Sequence, residues 1–266
     1  MKKSITINKD KCIHCGMCIH DCIVSCIKFG TDKIPEYVEN GDSMCVGCQH
    51  CMAVCPTGAL SFGGKNPQDS SPAGYDNSEE LLRLIQTRRS VRFYKDQDIP
   101  SETLAKLADM LAFPPKGGNV NALYFAIVAT REKMREISEV TYKGLRSVDT
   151  PTAKYLTELH DNGNDFVFRN APSMIAVSVD TLMAVPGCEN ADPIISLSYL
   201  DLYAQSLGVG TLWTDATLMA VKAVPEAQKI LGIPEGYSLN YILLLGLPAV
   251  KYHRTTQPEP AYVKMI

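Results

Sequence analysis

Apolar positions in the last two-thirds of the chain follow two periods, one typical of helices and one typical of strands. Apolar residues three and four positions apart predict helices at 79–85, 102–111, 132–145, 194–207 and 218–231. Short apolar runs predict strands at 124–129, 173–179, 208–213 and 241–246. This alternation predicts one sheet with helices packed on it.

Individual residues refine the predicted helix ends. Ser78 and Ser101 are the predicted N-caps of the first two helices, and each is followed by an acidic first turn. Pro193 suits the first position of the fourth helix, and Pro225 breaks or kinks the fifth. Residues 143–169 are polar and mixed and have only a weak period.

The first quarter of the chain has a different pattern, an internal repeat over residues 1–62. Each half has a cysteine loop and a short helix, followed by an extended piece at 26–29 or at 59–62. Residues 36–41 predict a small hairpin between the halves. The following segment is rich in Gly, Pro, Ser and Asn, which predicts a linker. The predicted organisation is a domain at 1–62, a linker at 63–77 and a domain at 78–266.

Eight of the ten cysteines form two copies of the pattern Cys-x2-Cys-x2-Cys-x3-Cys, and Pro56 follows the second copy. The copies are Cys12, Cys15, Cys18 and Cys22, and Cys45, Cys48, Cys51 and Cys55. Three cysteines at i, i+3 and i+6 wrap a loop around one cubane, and the fourth ligand must come from elsewhere. The spacing resembles the ligand run of bacterial two-cluster ferredoxins, in which the fourth cysteine ligates the other cluster.

That resemblance implies two 4Fe–4S clusters with crossed ligation. One cluster would take Cys12, Cys15, Cys18 and Cys55, and the other would take Cys45, Cys48, Cys51 and Cys22. A segment of about 60 residues buries little apolar surface, so metal–thiolate bonds substitute for part of its core. Paired zinc sites and disulfides are the alternatives, but zinc prefers separated cysteine pairs and disulfides need an oxidising compartment.

Two cysteines lie outside the repeated pattern. Cys26 aligns with Ala59 of the second half, which predicts a small buried thiol beside the cluster, with replacement of Cys22 as a ligand as the alternative. Cys188 lies in a predicted loop, where it is either incidental or close to a bound cofactor.

Composition narrows the class of protein. The chain has 266 residues, is 45% hydrophobic and has a formal net charge of −3, which disfavours nucleic acid and anionic membranes as partners. The N-terminus lacks the apolar core of a signal peptide, and no apolar run has the length of a membrane span. A reduced, cytoplasmic protein is therefore expected.

Arginine is confined to the second predicted domain. None of the nine arginines precedes Arg83, and three of them lie in Arg88-Arg89-Ser90-Val91-Arg92. Guanidinium groups bind phosphate in bidentate geometry, so this segment is a candidate phosphate site. The alternative is that basic residues only complement the dipole at a helix end. The chain contains neither G-x-G-x-x-G after a strand nor a P-loop motif.

Residues 79–254 resemble the nitroreductase family of FMN enzymes. The resemblance is carried by the segments 88–92, 113–125, 207–216 and 246–254. With the cysteine repeat, the whole chain resembles ferredoxin–nitroreductase fusion proteins. The implied fold class is α+β, in which a small two-cluster ferredoxin domain precedes an α/β domain with a central, mostly antiparallel sheet flanked by helices.

The family resemblance implies roles for ten residues at an FMN site. Arg88, Ser90 and Arg254 would hold the phosphate and ribityl chain, Arg89 would contribute contacts in the same turn, and Lys251 is a weaker phosphate candidate. Arg92 would reach the N1/O2 edge of the ring, and Asn119 its pyrimidine side. A backbone N–H among Thr214, Asp215 and Ala216 would face N5. Asn121-Ala122-Leu123 departs from the family's Gln-Pro-Trp, so the pyrimidine contacts are expected to differ.

The implied function is a flavin oxidoreductase in which the flavin performs the chemistry and no side-chain acid is essential. Electrons from two clusters would reach FMN and reduce a small electron-poor acceptor, such as a nitroaromatic, a quinone or an activated alkene. The alternatives are an electron-transfer module for a partner protein and an NAD(P)H-oxidising flavoprotein that reduces ferredoxin. External ferredoxin or NAD(P)H is the expected redox partner. The family also implies a homodimer and a substrate lid within residues 143–169.

Overall fold

The structure is a computed structural model that describes residues 3–74 and 77–266. Chain contacts divide it into two compact units, Met1–Asp76 and Asn77–Ile266. Tyr75 and Asp76, which fall in the predicted linker, and the first two residues of the first predicted domain lie outside the described residues.

The first unit consists of short elements around the cysteine loops. Its strands are β1 (Ile5–Ile7), β2 (Ile27–Phe29), β3 (Pro35–Tyr37) and β4 (Leu60–Phe62), and its helices are α1 (Met17–His20), α2 (Gly41–Met44) and α3 (His50–Ala53). Antiparallel pairing joins β1 to β4 and β2 to β3. The predicted hairpin at 36–41 was therefore misplaced, because residues 36 and 37 belong to β3 and pair back onto β2.

The segment after β4 adopts structure of its own within the predicted linker. Lys65 pairs with Phe62 in an isolated bridge, and Pro67–Asp69 forms a 3-10 helix capped by the Asn66 side chain. The boundaries of the predicted linker therefore remain a prediction.

The second unit contains one four-stranded sheet and seven helices among the described residues. The helices are α4 (Ser78–Thr87), α5 (Ser101–Met110), α6 (Arg131–Leu145), α7 (Pro151–Asp161), α8 (Cys188–Ser206), α9 (Asp215–Ala223) and α10 (Pro225–Ile230). The strands are β5 (Leu123–Val128), β6 (Ser173–Asp180), β7 (Gly210–Trp213) and β8 (Tyr237–Gly246). Their order is β5-β6-β8-β7 with antiparallel pairing throughout, which confirms the predicted fold class.

Each face of this sheet covers its own core. Met174 and Ala176 point into a core formed with α6, α7, α9 and α10, whereas Ile175 and Val177 point into a core formed with α5 and α8. Strands buried on both faces read as continuous apolar runs, which explains why their positions were predictable.

Several predicted helix starts differ from those in the structure, by one residue in two cases and by six in a third. The first helix of this unit is capped by Asn77, whose side chain accepts the Glu80 N–H, and not by Ser78. The second has Pro100 at its N-cap, so Ser101 is its first residue. Pro193 lies inside α8, because that helix begins at Cys188, before the predicted start.

The polar stretch 143–169 contains a helix that the sequence did not predict. Thr150 caps α7 by accepting the Ala153 N–H at 3.2 Å, and Ala153 and Leu156 are buried in the core. The segment therefore belongs to the packed body of the unit, and the family-based expectation of a lid does not describe α7. Within the described ranges, the helices lack the combination of length and apolar character that crossing a bilayer demands.

Candidate functional site

Four cysteines from both halves of the repeat line one cavity in the first unit. Cys12, Cys15, Cys18 and Cys55 surround it, together with apolar side chains that include Ile7 and Leu60. Two backbone amides also turn toward the last of these cysteines: the Ala59 N–H donates to the Cys55 sulfur at 3.3 Å, and a hydrogen bond from Leu60 helps to lower the pKa of Cys55 although burial raises it. The fourth cysteine of this cavity thus comes from the second half of the repeat.

The second cavity has the reciprocal composition. Cys45, Cys48 and Cys51 line it, and Cys22 of the first half completes the set. The Gly47 N–H donates to the Cys45 sulfur at 3.4 Å. Burial raises the pKa of the Cys51 thiol to about 12, with the neighbouring Cys48 and Cys45 adding to the rise. A thiol in such a place ionises readily only when a metal replaces its proton.

A fifth cysteine, Cys26, also lines the second cavity. Its side chain is 1% exposed, and its sulfur lies 3.4 Å from that of Cys22. Burial and the contact with Cys22 raise the pKa of Cys26 to about 12. Across residues 3–74 and 77–266, no three His, Cys, Asp or Glu side chains converge on the geometry of one metal ion. A cubane differs from such a site because each of its four ligands binds a different iron.

The arginine segment lies against the start of strand β7 in the second unit. Ser90 and Thr211 form an isolated parallel bridge, and the Val91 N–H donates to the Thr211 carbonyl at 2.8 Å. Gly210 permits this approach, because a Cβ on it would lie 2.7 Å from a methyl group of Val91. Three residues beyond Thr211, the strand leads into Thr214, where the predicted ring contacts begin.

A buried carboxylate, Asp201 of α8, joins the arginine segment to β7. Its Oδ2 lies 3.6 Å from Arg88 Nη1 and accepts the Trp213 indole N–H at 3.1 Å. Its Oδ1 accepts the Gln205 amide at 2.9 Å and the Thr211 hydroxyl. The sequence did not single out Asp201 or Gln205, because an acid in an otherwise apolar helix carries no local motif.

The guanidinium groups of the segment face one cavity of about 310 Å³, which is also lined by Ser90 and Tyr252. Arg89 donates from Nη1 to the Gln86 carbonyl at 2.9 Å, while its buried Nη2 has no hydrogen-bond partner among the described residues. Arg92 is exposed and donates to the Ser90 carbonyl at 3.2 Å. Arg88, Arg89, Ser90 and Arg92 are thus brought together as predicted, and one of them carries an unsatisfied buried donor.

The residues predicted to face the flavin ring follow directly after β7. Thr214 is buried and caps α9 by accepting the Thr217 N–H at 3.2 Å. Asp215 is exposed and accepts the Tyr241 hydroxyl at 2.6 Å. Burial, together with this hydrogen bond, raises the pKa of Tyr241 to about 12. The Tyr241 ring packs against Trp213 with centroids 5.1 Å apart, so this end of the sheet is aromatic.

Asn119 lies in a different part of the unit. It ends a short 3-10 helix, Gly117–Asn119, and has a left-handed φ of 57°. The Gly117 N–H donates to the buried carboxylate of Asp192 at 3.0 Å, and Gly117 approaches the Cys188 sulfur so closely that a Cβ would lie 2.6 Å from it. Cys188 was predicted to lie in a loop, but it is the first residue of α8 and packs beside the Asn119 turn.

The C-terminal candidates Lys251 and Arg254 are exposed and lie outside regular structure. Arg254 lines a larger cavity of about 700 Å³ with Arg83 and Glu80 of α4, and Tyr252 borders both this cavity and that of the arginine segment. The structure thus places Arg254 next to the predicted phosphate site without bringing it into the same cavity.

Comparison with protein families follows the same division of the chain. The nitroreductase family model matches residues 85–247, and a 4Fe-4S dicluster domain model matches residues 5–62. The first range contains the arginine segment, β7 and the Asn119 turn. The second contains all eight cysteines of the repeat.

Two archaeal proteins are similar to this chain over about two-thirds of its length. A protein of Methanothermobacter thermautotrophicus named "Putative NADH dehydrogenase/NAD(P)H nitroreductase" is 28% identical over 170 residues, which cover 64% of this chain and 78% of the relative. A protein of the same name from Archaeoglobus fulgidus is 27% identical over 177 residues, which cover 64% of this chain and 86% of the relative.

Solved structures show the same architecture. A nitroreductase with bound FMN from Desulfitobacterium hafniense is 27% identical, has a TM-score of 0.57, and is matched over 70% of this chain and 98% of its own. A nitroreductase with bound FMN from Bacteroides fragilis shares the fold at 23% identity and a TM-score of 0.57, over 70% of this chain and 98% of its own. The protein therefore belongs to the nitroreductase family of flavin oxidoreductases and carries a 4Fe–4S dicluster domain ahead of the family domain.

Proposed function

We propose that the protein passes electrons between two 4Fe–4S clusters and an FMN to reduce a small electron-poor acceptor. One observation carries the proposal: the bridge between Ser90 and Thr211 places a cluster of arginines at the base of β7. The same strand ends at Trp213, and the ring contacts are proposed to begin at the next residue, Thr214. A phosphate-binding end and a ring-binding end are thus built on one short strand.

The arginine cavity fits an FMN phosphate in its chemistry. Three guanidinium groups and the Ser90 hydroxyl line it, and Arg89 offers a buried N–H that no described residue accepts. A phosphate carries about −1.5 to −2 charge and accepts several charge-assisted hydrogen bonds. We assign phosphate and ribityl contacts to Arg88, Arg89 and Ser90, with Lys251 and Arg254 as further phosphate candidates from the neighbouring segment.

The proposed contacts with the flavin ring involve Arg92 of the arginine segment, the residues that follow β7, and Asn119. Arg92 is the exposed cation of the segment and is assigned to the N1/O2 edge, where positive charge favours the reduced flavin. Thr214, Asp215 and Ala216 form the first turn of α9 with its cap, so their backbone amides point away from the helix and toward a ligand at its end. Asn119 is assigned to the pyrimidine side.

The two cysteine cavities fit two cubanes with crossed ligation. Each offers three thiols from one loop and one from the fourth position of the other half of the repeat, and the second cavity also contains Cys26. When bound, the clusters transfer single electrons and FMN collects two for delivery to the acceptor. The chain's residues hold these groups, and backbone amides such as that of Ala59 donate to the ligating sulfurs.

The acceptor proposed is a nitroaromatic, a quinone or an activated alkene. In a second candidate function, electrons move in the opposite direction: NAD(P)H reduces the flavin, and the clusters pass electrons to an external ferredoxin. The names of the archaeal relatives, which mention NADH and NAD(P)H, favour this candidate. External ferredoxin and NAD(P)H are therefore the two redox partners to compare.

The proposed assembly is a homodimer in the cytoplasm. Helix α4 exposes Leu81, Leu82 and Ile85 on one side, and the C-terminal segment exposes Tyr262 and Ile266. A second copy of the chain would cover such apolar surface. All ten cysteines are unpaired, which suits a reducing compartment. Light scattering of the purified chain tests the proposed dimer.

An anaerobic titration tests the proposed function. The purified protein is titrated with NADH and separately with a reduced ferredoxin, and visible absorbance follows the flavin and the clusters. Bleaching of the flavin by reduced ferredoxin but not by NADH supports electron transfer from ferredoxin to the flavin and on to an acceptor. Rapid bleaching by NADH, followed by reduction of the clusters, favours the second candidate. A chain that purifies without flavin absorbance and takes up no added FMN would contradict both.

A further inference from the structure

We propose that Asp201 is a positioning residue of the flavin site, which acts by fixing the Arg88 guanidinium that binds the flavin phosphate. The inference rests on the proposed FMN site. It adds a residue from outside the arginine segment, on a helix that the sequence motifs do not include.

The contacts of Asp201 reach both ends of the proposed site. Its side chain is only 7% exposed, and its partner Arg88 is 34% exposed, so the ion pair has a buried side and an open side. Asp201 Oδ2 lies 3.6 Å from Arg88 Nη1. The same oxygen accepts the Trp213 indole N–H at 3.1 Å, one residue before the proposed ring contacts.

Gln205, one helical turn after Asp201, holds the backbone next to Arg88. The Arg89 N–H donates to Gln205 Oε1 at 3.0 Å, and Gln205 Nε2 donates to the Arg89 carbonyl at 3.2 Å. Gln205 Nε2 also lies 2.9 Å from Asp201 Oδ1 and 2.9 Å from Thr211 Oγ1, so its two N–H groups are shared among three acceptors. The backbone and the side chain of the arginine segment are therefore held by one network.

The chemistry explains why an acid occupies this position. A buried carboxylate is stable only when its charge is paired and its lone pairs accept hydrogen bonds, and Asp201 satisfies both conditions. A guanidinium has five N–H donors, so Arg88 can pair with Asp201 on one edge and present the other edge to the cavity. Without the acid, Arg88 would lose the contact that selects its orientation before the phosphate arrives.

A double-mutant cycle with two ligands tests this role. Dissociation constants for FMN and for riboflavin, which lacks the phosphate, are measured on the full chain after its flavin has been removed by dialysis. The variants are Asp201→Asn, Arg88→Ala and the two combined. Iron content and circular dichroism report whether each variant is folded.

We expect Asp201→Asn to weaken FMN binding by about fivefold or more while riboflavin binding changes little. In the Arg88→Ala background, Asp201→Asn should not weaken FMN binding further, because the effects of substituting two residues that act through one another do not add. Equal weakening of both flavins by Asp201→Asn, or full additivity of the two substitutions, would overturn the proposal. If Asp201→Asn does not fold, Asp201→Glu keeps the charge at a changed distance and should lower the FMN-to-riboflavin preference to a smaller extent.

Asp192→Asn is the matched control. Asp192 is a second buried acid of the same helix, 7% exposed, and it accepts the Gly117 N–H but no arginine. Its substitution should leave the preference for FMN over riboflavin unchanged. Trp213, the one tryptophan of the chain, gives a separate readout, since Asp201→Asn should shift its emission.

The outcomes separate this inference from the function on which it rests. A wild-type chain that binds FMN no better than riboflavin contradicts the proposed phosphate site itself. A wild-type preference that Arg88→Ala removes and Asp201→Asn retains contradicts the role of Asp201 alone.

Discussion

Ser90 and Thr211 lie side by side in a parallel bridge, although 121 positions separate them in the sequence. The bridge is closed by the hydrogen bond from the Val91 N–H to the Thr211 carbonyl at 2.8 Å. It brings the arginine segment to a strand whose far end carries the proposed ring contacts. The position of the proposed phosphate site therefore depends on this pairing and on the residues that permit it.

Gly210→Ala should release the arginine segment from β7. A Cβ at Gly210 would lie 2.7 Å from Val91, and buried overpacking of this kind costs about 1–3 kcal/mol. We expect a lower melting temperature together with weaker FMN binding, measured by thermal unfolding and by flavin titration.

Gly144→Ala provides a control for overpacking away from the site. A Cβ there would lie 2.5 Å from Val224, between α6 and the start of α10. It should lower stability by a similar amount and leave FMN affinity unchanged. Unchanged FMN affinity in Gly210→Ala would show that the bridge does not support the phosphate site.

Cys26→Ala should keep the full complement of iron. The equivalent position in the other half of the repeat is Ala59, which is buried and lines the first cavity, so an alanine is already tolerated beside a cluster. Cys22→Ala, in contrast, should lower the iron content. Iron and acid-labile sulfide are measured per chain on anaerobically purified protein. A loss of about half of the iron in Cys26→Ala would identify Cys26 as a ligand.

Asp215→Asn should lower the pKa of Tyr241 from its value of about 12. Burial and the hydrogen bond to an anionic acceptor favour the neutral phenol, and a neutral amide favours it less. The ultraviolet titration of tyrosinate measures the shift, and Tyr241→Phe supplies the baseline of the other eleven tyrosines.

The raised pKa of Tyr241 also predicts how the free energy of unfolding changes at high pH. The folded-state pKa of Tyr241 is raised above the unfolded value of about 10, so its contribution is present below pH ~10 and is lost as the pH rises to about 12. Tyr241→Phe should therefore reduce the loss of stability over that window. An alkaline unfolding curve that is identical in Tyr241→Phe and wild type would contradict the predicted linkage.

Thr150→Ala should destabilise the second unit through the start of α7. The Thr150 side chain accepts the Ala153 N–H, and the loss of such a cap costs about 1 kcal/mol. Thermal unfolding measures the effect, and Thr152→Ala, at an exposed position in the same first turn, should change little. A melting temperature that is the same in both variants would contradict a stabilising contribution of this cap.

The parts of the fold that could be predicted are those with strong local signals. The cysteine spacing predicts which residues share a cavity, because it resembles that of two-cluster ferredoxins, in which the fourth cysteine belongs with the other loop. Strands β6 and β8 were found because both faces are buried and the runs are apolar. Helix α7 was missed because its buried face includes Ala153 and Thr157, which carry too little apolar character to produce a clear period.

The candidate site was predictable only in part for a related reason. The arginine segment stands out in sequence, but the groups that orient it, Asp201 and Gln205, lie more than 110 positions away on a buried helix. Their role depends on tertiary contacts, which no local pattern encodes. The separation of Arg254 from the Arg88 cavity likewise depends on the path of the C-terminal segment.

Because each cysteine cavity takes residues from both halves of the repeat, the order of synthesis decides when each set of cysteines is complete. The second cavity needs Cys22 from the first half, and its set of cysteines is complete once the ribosome has passed Cys51. The cysteines of the first cavity begin at Cys12, but the last of them is missing until Cys55 has been synthesised. A nascent chain therefore completes first the set of cysteines that begins later in the sequence, and each set needs cysteines from both halves of the repeat.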